Sequence, residues 1–210
     1  MQRLVGLLLL SLLLPVTAQA GAQLYEPLSA SVRAALYKSV SDSAPPRLSF
    51  ASPVEGANWL AEMSRRMEKR MPDRATRLDF LRTVHYEASR AGLDPQLVLG
   101  LIQVESGFRK YAVSSAGARG YMQVMPFWVK LIGASDNDLF HIRTNLRYGC
   151  TILRHYLDIE HGDLYRALGR YNGSLGRPEY PTLVVGAWRN GWSYPERSRR
   201  ASNQSSQPDS

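Results

Sequence analysis

Apolar residues recur at helical spacing over most of this 210-residue chain. After Ala57 they fall one, three or four positions apart, which predicts a helix that ends at Pro72. Its apolar face consists of Trp59, Leu60, Met63, Met67 and Met71. A second helix is predicted from its N-cap Asp73 to a stop at Gly92, and a third from Asp94–Pro95 to Glu105. The face of the second helix consists of Leu78, Leu81, Val84, His85 and Ala88.

The chain beyond Glu105 is predicted to begin with loops and to return to helices. Residues 108–124 combine glycine, serine and valine with weak alternation, so they predict loops and at most a small β-hairpin. Four helices are predicted after this segment. The first starts at Pro126, the second spans Asn145–Glu160, the third starts from the cap Asp163, and the fourth spans Pro181–Arg189. Residues 57–192 are therefore predicted to form one mainly α domain, with the first helix as an N-terminal extension.

The two ends of the chain differ from this helical middle. Residues 1–20 are typical of a secretory signal peptide, because a basic start precedes an apolar run over Leu4–Leu14 and a small-residue ending at Ala18–Ala20. The run is too short to span a bilayer comfortably, and an uncleaved leader that anchors the protein is the alternative. Residues 21–56 are predicted to be irregular around one short helix over Leu28–Val40, and residues 193–210 to be a disordered basic tail.

Composition narrows the class of protein. Cys150 is the only cysteine, so no intramolecular disulfide can form, and its place in an apolar helix predicts a buried, inert thiol. The formal charge of +8 falls by one to +7 when Arg3 leaves with the leader. A basic exported protein is expected to meet the carboxylate-bearing cell wall rather than nucleic acid, and a charge that serves only solubility is the alternative. No metal or other cofactor is expected, because no metal-binding spacing links the histidines His85, His141, His155 and His161.

Glu105 is the residue that most directly indicates chemistry. An apolar run carries its carboxyl group to the end of a helix, where Ser106 and Gly107 stop it. Apolar neighbours and the negative end of a helix dipole both raise the pKa of such a group, so it can keep its proton near neutral pH and act as a general acid. A solvated residue of the last helical turn is the structural alternative. The glycine-rich segment Ala112–Pro126, typical of a groove that a ligand approaches closely, favours catalysis.

Four sequence blocks carry a resemblance to a known family. They are Glu105–Phe108, Ala112–Pro126, Asn145–Gly149 and Tyr171–Asn172. In this order they resemble the lysozyme-like domain of the soluble lytic transglycosylases. The resemblance implies an α+β lysozyme-like fold in which a small hairpin lies beside a glycan groove. This sequence departs from the usual family residues at Ser115, Tyr121, Arg170 and Gly173–Ser174.

The resemblance also implies roles for single residues. It makes Glu105 the catalytic acid and base that cleaves the bond between N-acetylmuramic acid and N-acetylglucosamine and closes a 1,6-anhydro ring. The residues implied to contact the glycan are Ser114, Met122, Gln123, Tyr171 and Asn172. Three of these have a structural alternative, which is core packing for Met122, a cap of the backbone for Gln123 and helix packing for Tyr171.

One absence in the sequence bears on the reaction. From Phe108 to Ser135 there is no Asp or Glu, whereas retaining and inverting hydrolases need two carboxyl groups. The sequence therefore favours cleavage in which the substrate supplies its own nucleophile. The alternatives are a goose-type muramidase that recruits Asp136 or Asp138, and a non-catalytic wall-binding scaffold.

Location and partners follow from these interpretations. We expect an exported protein of the periplasm or cell envelope that acts on the glycan strands of peptidoglycan. A secretion, conjugation or other envelope-spanning machine is a further partner that the sequence leaves open. We expect no nucleic-acid partner, and membrane contact only through an uncleaved leader.

Overall fold

The computed structural model describes residues 23–41, 44–50, 52–133 and 138–194. The predicted leader and nearly all of the predicted tail lie outside these residues. Within them the prediction of a mainly α fold is confirmed, and a π-helical turn, Trp188–Trp192, follows the last α-helix. The helices are α1 (Ala30–Ser41), α2 (Pro53–Met67), α3 (Arg74–Arg90), α4 (Pro95–Ser106), α5 (Pro126–Ile132), α6 (Ile142–Ile159), α7 (Leu164–Asn172) and α8 (Glu179–Ala187).

Capping residues explain where several helices begin. At the starts of α2, α3, α4 and α7, a side-chain oxygen of the capping residue accepts a hydrogen bond from a backbone N–H group of the first turn. The four capping residues are Ser52, Asp73, Asp94 and Asp163. The helix predicted from Ala57 begins instead at Pro53, because Ser52 supplies the cap and a proline suits the first turn. The predicted end at Pro72 is also late, since the helix stops at Met67. The short helix predicted over Leu28–Val40 is confirmed as α1.

The segment between α4 and α5 is mostly loop. Two isolated antiparallel bridges pair Val113 with Arg119 and Arg119 with Val124. These bridges are the β structure present in the described part of the chain, so the prediction of at most a small hairpin is confirmed. Because the backbone groups of this loop have few partners in regular structure, side chains must hold it in place.

Helix α4 lies in the core and packs against α3, α8 and the π-helical turn. Most of its side chains are buried, including Leu99, Leu101 and Ile102 with no exposure. Gly100 permits this close packing, because a Cβ atom there would lie 2.8 Å from the backbone nitrogen of Trp188. A helix so enclosed delivers whatever stands at its C-terminus into an environment with little water.

An ion cluster that the sequence analysis did not predict links α3 to α6. Glu87 has no exposure, and its carboxylate accepts hydrogen bonds from Arg147 Nη2 at 2.8 Å and Arg90 Nε at 3.1 Å. Arg143 Nε lies 3.4 Å from the same carboxylate. Three guanidinium groups around one buried carboxylate compensate its loss of hydration.

Two residues that could have been reactive are placed in the core. His85 packs against the rings of Phe50 and Trp59, with centroids 4.3 Å and 5.1 Å away, and burial lowers its pKa to about 4. This confirms the prediction of a core histidine. Cys150 is fully buried, and burial raises the pKa of its thiol, as predicted for an inert cysteine.

The described residues contain neither a candidate metal site nor a candidate membrane-spanning helix. No group of three or more His, Cys, Asp or Glu side chains there is arranged to hold a metal ion. Among the helices of the described ranges, none combines the length and the apolar composition that crossing a membrane requires.

Candidate active site

Glu105 lies at the buried C-terminus of α4. Gly107 ends the helix with a left-handed backbone, φ 58°, a conformation that glycine adopts without steric cost. The Glu105 side chain is 4% exposed. The hydroxyl of Tyr180, which α8 supplies, donates a hydrogen bond to Oε1, and Oε2 has no partner within the described residues. One oxygen of the carboxyl group is therefore held by a hydrogen bond, and the other is buried and has no hydrogen-bond partner among the described residues.

Burial raises the pKa of the Glu105 carboxyl group from its ordinary value of 4.5 to about 8. Loss of hydration is the main cause, because it disfavours the charged form. The hydrogen bond from Tyr180 acts in the opposite direction, because it stabilises the carboxylate. The group therefore keeps its proton at neutral pH, which a general acid requires.

Ser106 ties the end of α4 to the glycine-rich loop. Its Oγ donates to the carbonyl oxygen of Tyr121 at 2.7 Å, and the ring of Tyr121 packs on Phe80 with centroids 4.8 Å apart. Ser106 is itself 1% exposed, so water competes little for this bond. The bond fixes where the loop lies relative to Glu105, one residue away.

The spacing of Asn145 and Gly149 in their sequence block has a structural reason. They lie four residues apart, on one face of α6. The Asn145 side chain accepts from the backbone nitrogen of Met122 at 2.8 Å and donates to the carbonyl oxygens of Arg119 at 2.8 Å and Leu139 at 2.9 Å. Gly149 leaves room for the Met122 side chain, which an added Cβ atom would overlap. Together the two residues fix the loop against α6.

Gln123 occupies a strained position in this loop. Its backbone is left-handed, φ 49°, which is costly for a residue with a side chain. Its Nε2 donates to the carbonyl oxygens of Gly120 at 2.9 Å and Ala112 at 3.1 Å. The amide nitrogen therefore caps the backbone of its own loop, as the structural alternative for this residue expected. A contact between Gln123 and a glycan stays a prediction.

Ser114 and Met122 differ in their access to a ligand. Ser114 is half-buried, and its Oγ accepts from the backbone nitrogen of Ala118 at 3.1 Å, which closes a tight turn. Met122 has no exposure and packs within the core. The side chain of Met122 thus supports the loop from the core. The roles of Met122 and Ser114 as glycan contacts stay predictions.

Tyr171 and Asn172 end α7 beneath the same loop. The Tyr171 hydroxyl donates to the carbonyl oxygen of Met122 at 2.7 Å. Burial raises the pKa of this phenol well above 10, and the negative charge of Glu105 raises it further. Tyr171 therefore stays protonated near Glu105 and has no exposure of its own. Asn172 is 7% exposed, and its role in binding stays a prediction.

Two residues of the site were missed in the sequence analysis. Tyr180 contacts Glu105 directly, but its position follows from the packing of α8 against α4, which hydrophobic spacing does not predict. Asn145 belonged to a block of the family resemblance, and a buried Asn four residues from a Gly on a helix face is a signal for a polar contact with a neighbouring loop.

Asp138 is the one of the two carboxylates proposed for a hydrolase that lies within the described residues. Asp138 is exposed, and its Oδ1 accepts from the backbone nitrogen of Phe140 at 2.7 Å. Asp136 lies outside the described residues. Asp138 thus has a local role as a turn residue ahead of α6.

Comparisons with known proteins agree with the resemblance. Residues 82–180 match the family model described as the Transglycosylase SLT domain, a range that contains Glu105, Gln123, Tyr171 and Tyr180. The chain is 32% identical over 103 residues to a "Transglycosylase" of Enterobacteria phage PRD1, which covers 49% of this chain and 38% of the phage protein. The predicted resemblance is confirmed at the level of the domain.

Bacterial proteins match a shorter stretch. The chain is 51% identical over 47 residues to "Membrane-bound lytic murein transglycosylase C" of Actinobacillus pleuropneumoniae serotype 5b (strain L20). A protein of the same name from Haemophilus influenzae (strain PittEE) is 47% identical over 47 residues. Each match covers 22% of this chain and 13% of the bacterial protein. The chain therefore spans well under half the length of the relatives that it matches.

Proposed function

We propose that this protein is a lytic transglycosylase, because residues 82–180 match the family model described as the Transglycosylase SLT domain. It cleaves the β-1,4 bond between N-acetylmuramic acid and N-acetylglucosamine in peptidoglycan and leaves a 1,6-anhydro end. The observation that carries the proposal is the carboxyl group of Glu105, which is buried, protonated at neutral pH and unpartnered at Oε2. A protein that only bound the wall would gain nothing from so costly a group.

The first step is protonation of the glycosidic oxygen. Tyr180 donates to Oε1, so the acid proton of Glu105 is carried by Oε2, the oxygen without a partner. This proton passes to the oxygen that bridges the two sugars, and the bond from that oxygen to C1 of the muramic acid breaks. The carboxylate that results keeps the hydrogen bond from Tyr180, which stabilises its charge.

The second step uses the same residue as a base. The Glu105 carboxylate takes the proton of the C6 hydroxyl of the muramic acid, and the C6 oxygen bonds to C1. A carboxyl group with a pKa of about 8 is a stronger base than an ordinary carboxylate once it has lost its proton. The proton given in the first step is thereby recovered, and no water is consumed.

The absence of a second acid supports this route over hydrolysis. No Asp or Glu occurs from Phe108 to Ser135, the segment that supplies the loop beside Glu105. Inverting and retaining hydrolases need a second carboxyl group across the bond. Asp138 is exposed and engaged in its own turn, which makes it a poor candidate for that group.

The setting is part of the same proposal. The leader predicted at residues 1–20 would export the chain, and the basic charge of the whole protein suits the carboxylates of the wall. The protein is thus proposed to act in the periplasm or cell envelope on glycan strands.

Analysis of the soluble products from purified sacculi tests the proposal. The protein should release muropeptides with anhydro ends, which resist borohydride and weigh one water less than hydrolytic products. Glu105→Gln should lower the rate by at least about two orders of magnitude while its thermal unfolding remains cooperative. Reducible ends would identify a muramidase, and wall binding without any release by the natural chain would identify a scaffold.

A further inference from the structure

The first described residues of the chain lie on the loop of the candidate active site. Gln23 is 3% exposed, while its neighbours Leu24 and Tyr25 are 63% and 62% exposed. Gln23 Nε2 donates to the carbonyl oxygen of Gln123 at 3.3 Å, and its Oε1 accepts from the backbone nitrogen of Met125 at 3.2 Å. A polar side chain is buried here while the apolar side chains beside it face solvent, so a specific polar site holds Gln23.

Two weaker contacts continue along the same segment. The ring of Tyr25 meets Phe127 edge-on, with centroids 5.7 Å apart. Glu26 forms an ion pair at 3.1 Å with Arg170, the residue before Tyr171. The Glu26 side chain is 48% exposed, so this ion pair adds little stability. Residues 23–26, the N-terminal strap, therefore contact the loop, α5 and α7 through a few side chains.

The hydrogen bonds of Gln23 reveal what the loop recognises. A carboxamide offers two N–H donors and one carbonyl acceptor on the same amide group. The loop receives them with the carbonyl oxygen of Gln123 and the N–H group of Met125. The 2-acetamido group of an N-acetylhexosamine is likewise an amide, with one N–H donor and one carbonyl acceptor. The backbone of Gln123 and Met125 is thus complementary to an acetamido group.

We propose that the N-terminal strap is an intramolecular competitor of the glycan, in which the Gln23 carboxamide occupies an acetamido-binding subsite beside Glu105. This inference rests on the proposed function, since it assigns the subsite to the glycan strand. Binding of a glycan then requires the strap to leave. The apparent affinity is reduced by the fraction of molecules in which the strap is in place.

The contacts of the strap are weak enough for exchange. Both hydrogen bonds of Gln23 are longer than the usual 2.9–3.0 Å. An interaction between the Gln23 side chain and the Tyr171 hydroxyl, one ring contact and one exposed ion pair accompany these two bonds to the backbone. Removal of the Gln23 carboxamide should raise the affinity for an acetamido sugar about three- to thirty-fold, because each net hydrogen bond corresponds to roughly a factor of five.

Calorimetric titration with tri-N-acetylchitotriose tests the competition directly. The full chain carries Glu105→Gln, so that no cleavage disturbs binding, and is compared with and without Gln23→Ala. The affinity should increase in the double variant, whereas Leu24→Ala, which alters an exposed neighbour, should leave it unchanged. Deacetylated chitotriose should show no such increase, because it lacks the acetamido group. An affinity that stays equal or falls on Gln23→Ala would overturn the proposal and identify Gln23 as a structural support of the loop.

A second variant tests the competition in case Gln23→Ala destabilises the fold. If Gln23→Ala lowers the unfolding temperature, Glu26→Gln loosens the strap at its exposed ion pair and should raise the affinity by up to about threefold, since such pairs contribute little. No increase with Glu26→Gln in a folded protein would also count against competition.

The outcomes separate this inference from the proposed function. If sacculi are not cleaved by the natural chain but Gln23→Ala strengthens sugar binding, the subsite stands and the lytic function fails. If sacculi are cleaved with anhydro products but Gln23→Ala weakens binding, the function stands and the competition fails.

Discussion

Replacement of Glu105 by Gln should make the protein progressively more stable relative to the natural chain as the pH rises. The pKa of Glu105 is about 8 in the folded protein and 4.5 in its ordinary state. Between these values the unfolded chain releases a proton that the folded protein keeps, so the folded state is penalised as the pH rises. The stability associated with this proton is fully present below about pH 4.5 and is lost as the pH approaches about 8. A Gln side chain carries no such proton and escapes the penalty.

The size of the effect follows from the pKa difference. Each pKa unit corresponds to about 1.4 kcal/mol, which sets an upper limit of about 5 kcal/mol between pH 4.5 and 8. Relaxation around the buried charge should reduce this to about 2–4 kcal/mol. Near pH 5 the variant should be no more stable than the natural chain, because an amide nitrogen in the place of the unpartnered Oε2 costs about 1–3 kcal/mol. The two stability curves should therefore converge or cross as the pH rises.

Urea unfolding at several pH values between 5 and 8, at constant ionic strength, measures this difference. Glu179→Gln is the matched control, because it makes the same substitution at an exposed site one residue from Tyr180. The control should shift stability by a similar small amount at every pH. If the natural chain and Glu105→Gln differ by the same free energy throughout the range, the carboxyl group ionises as it does in the unfolded chain. The argument for a buried general acid would then fail.

Three other substitutions test separate parts of the structure. Tyr180→Phe removes the hydrogen bond that lowers the pKa of the catalytic carboxyl group, so the alkaline limb of the activity profile should move to higher pH; an unchanged limb would refute the contact. Glu87→Ala leaves three arginines without their buried carboxylate and should cost about 3–5 kcal/mol in urea unfolding; a loss below 1 kcal/mol would show that the cluster is not desolvated. Gly149→Ala adds a Cβ atom that overlaps the core beneath the loop and should cost about 1–3 kcal/mol, with reduced activity, whereas Gly186→Ala, with nothing within 4 Å, should be neutral or slightly stabilising.

The sequence predicted the helices well because most of their signals are local. Asp73, Asp94 and Asp163 cap the helices that they were expected to start, and each is followed by an apolar face. The start of α2 was placed late because Ser52 and Pro53 were read as part of an irregular segment. The start of this helix was predicted from the spacing of apolar residues, and the first turn of α2 contains few apolar residues.

The environment of Glu105 could be predicted, because it follows from the position of this residue in the sequence. Glu105 stands at the end of an apolar helix, and its burial and raised pKa follow from that position. The partner of its carboxyl group did not follow, because Tyr180 reaches it only through the packing of α8 on α4. The three arginines around Glu87 were missed for the same reason, since Arg143 and Arg147 come from a helix distant in sequence. Contacts between distant segments depend on tertiary geometry that spacing alone does not contain.

Digestion of sacculi in ¹⁸O-labelled water, followed by mass spectrometry of the released muropeptides, tests the central claim most directly. If Glu105 acts as acid and then as base on the C6 hydroxyl, the new ends are anhydro rings and contain no ¹⁸O, and Glu105→Gln releases almost nothing. If the new muramic acid ends carry one ¹⁸O atom each, water has attacked, and the protein is a hydrolase that uses a second group across the bond from Glu105.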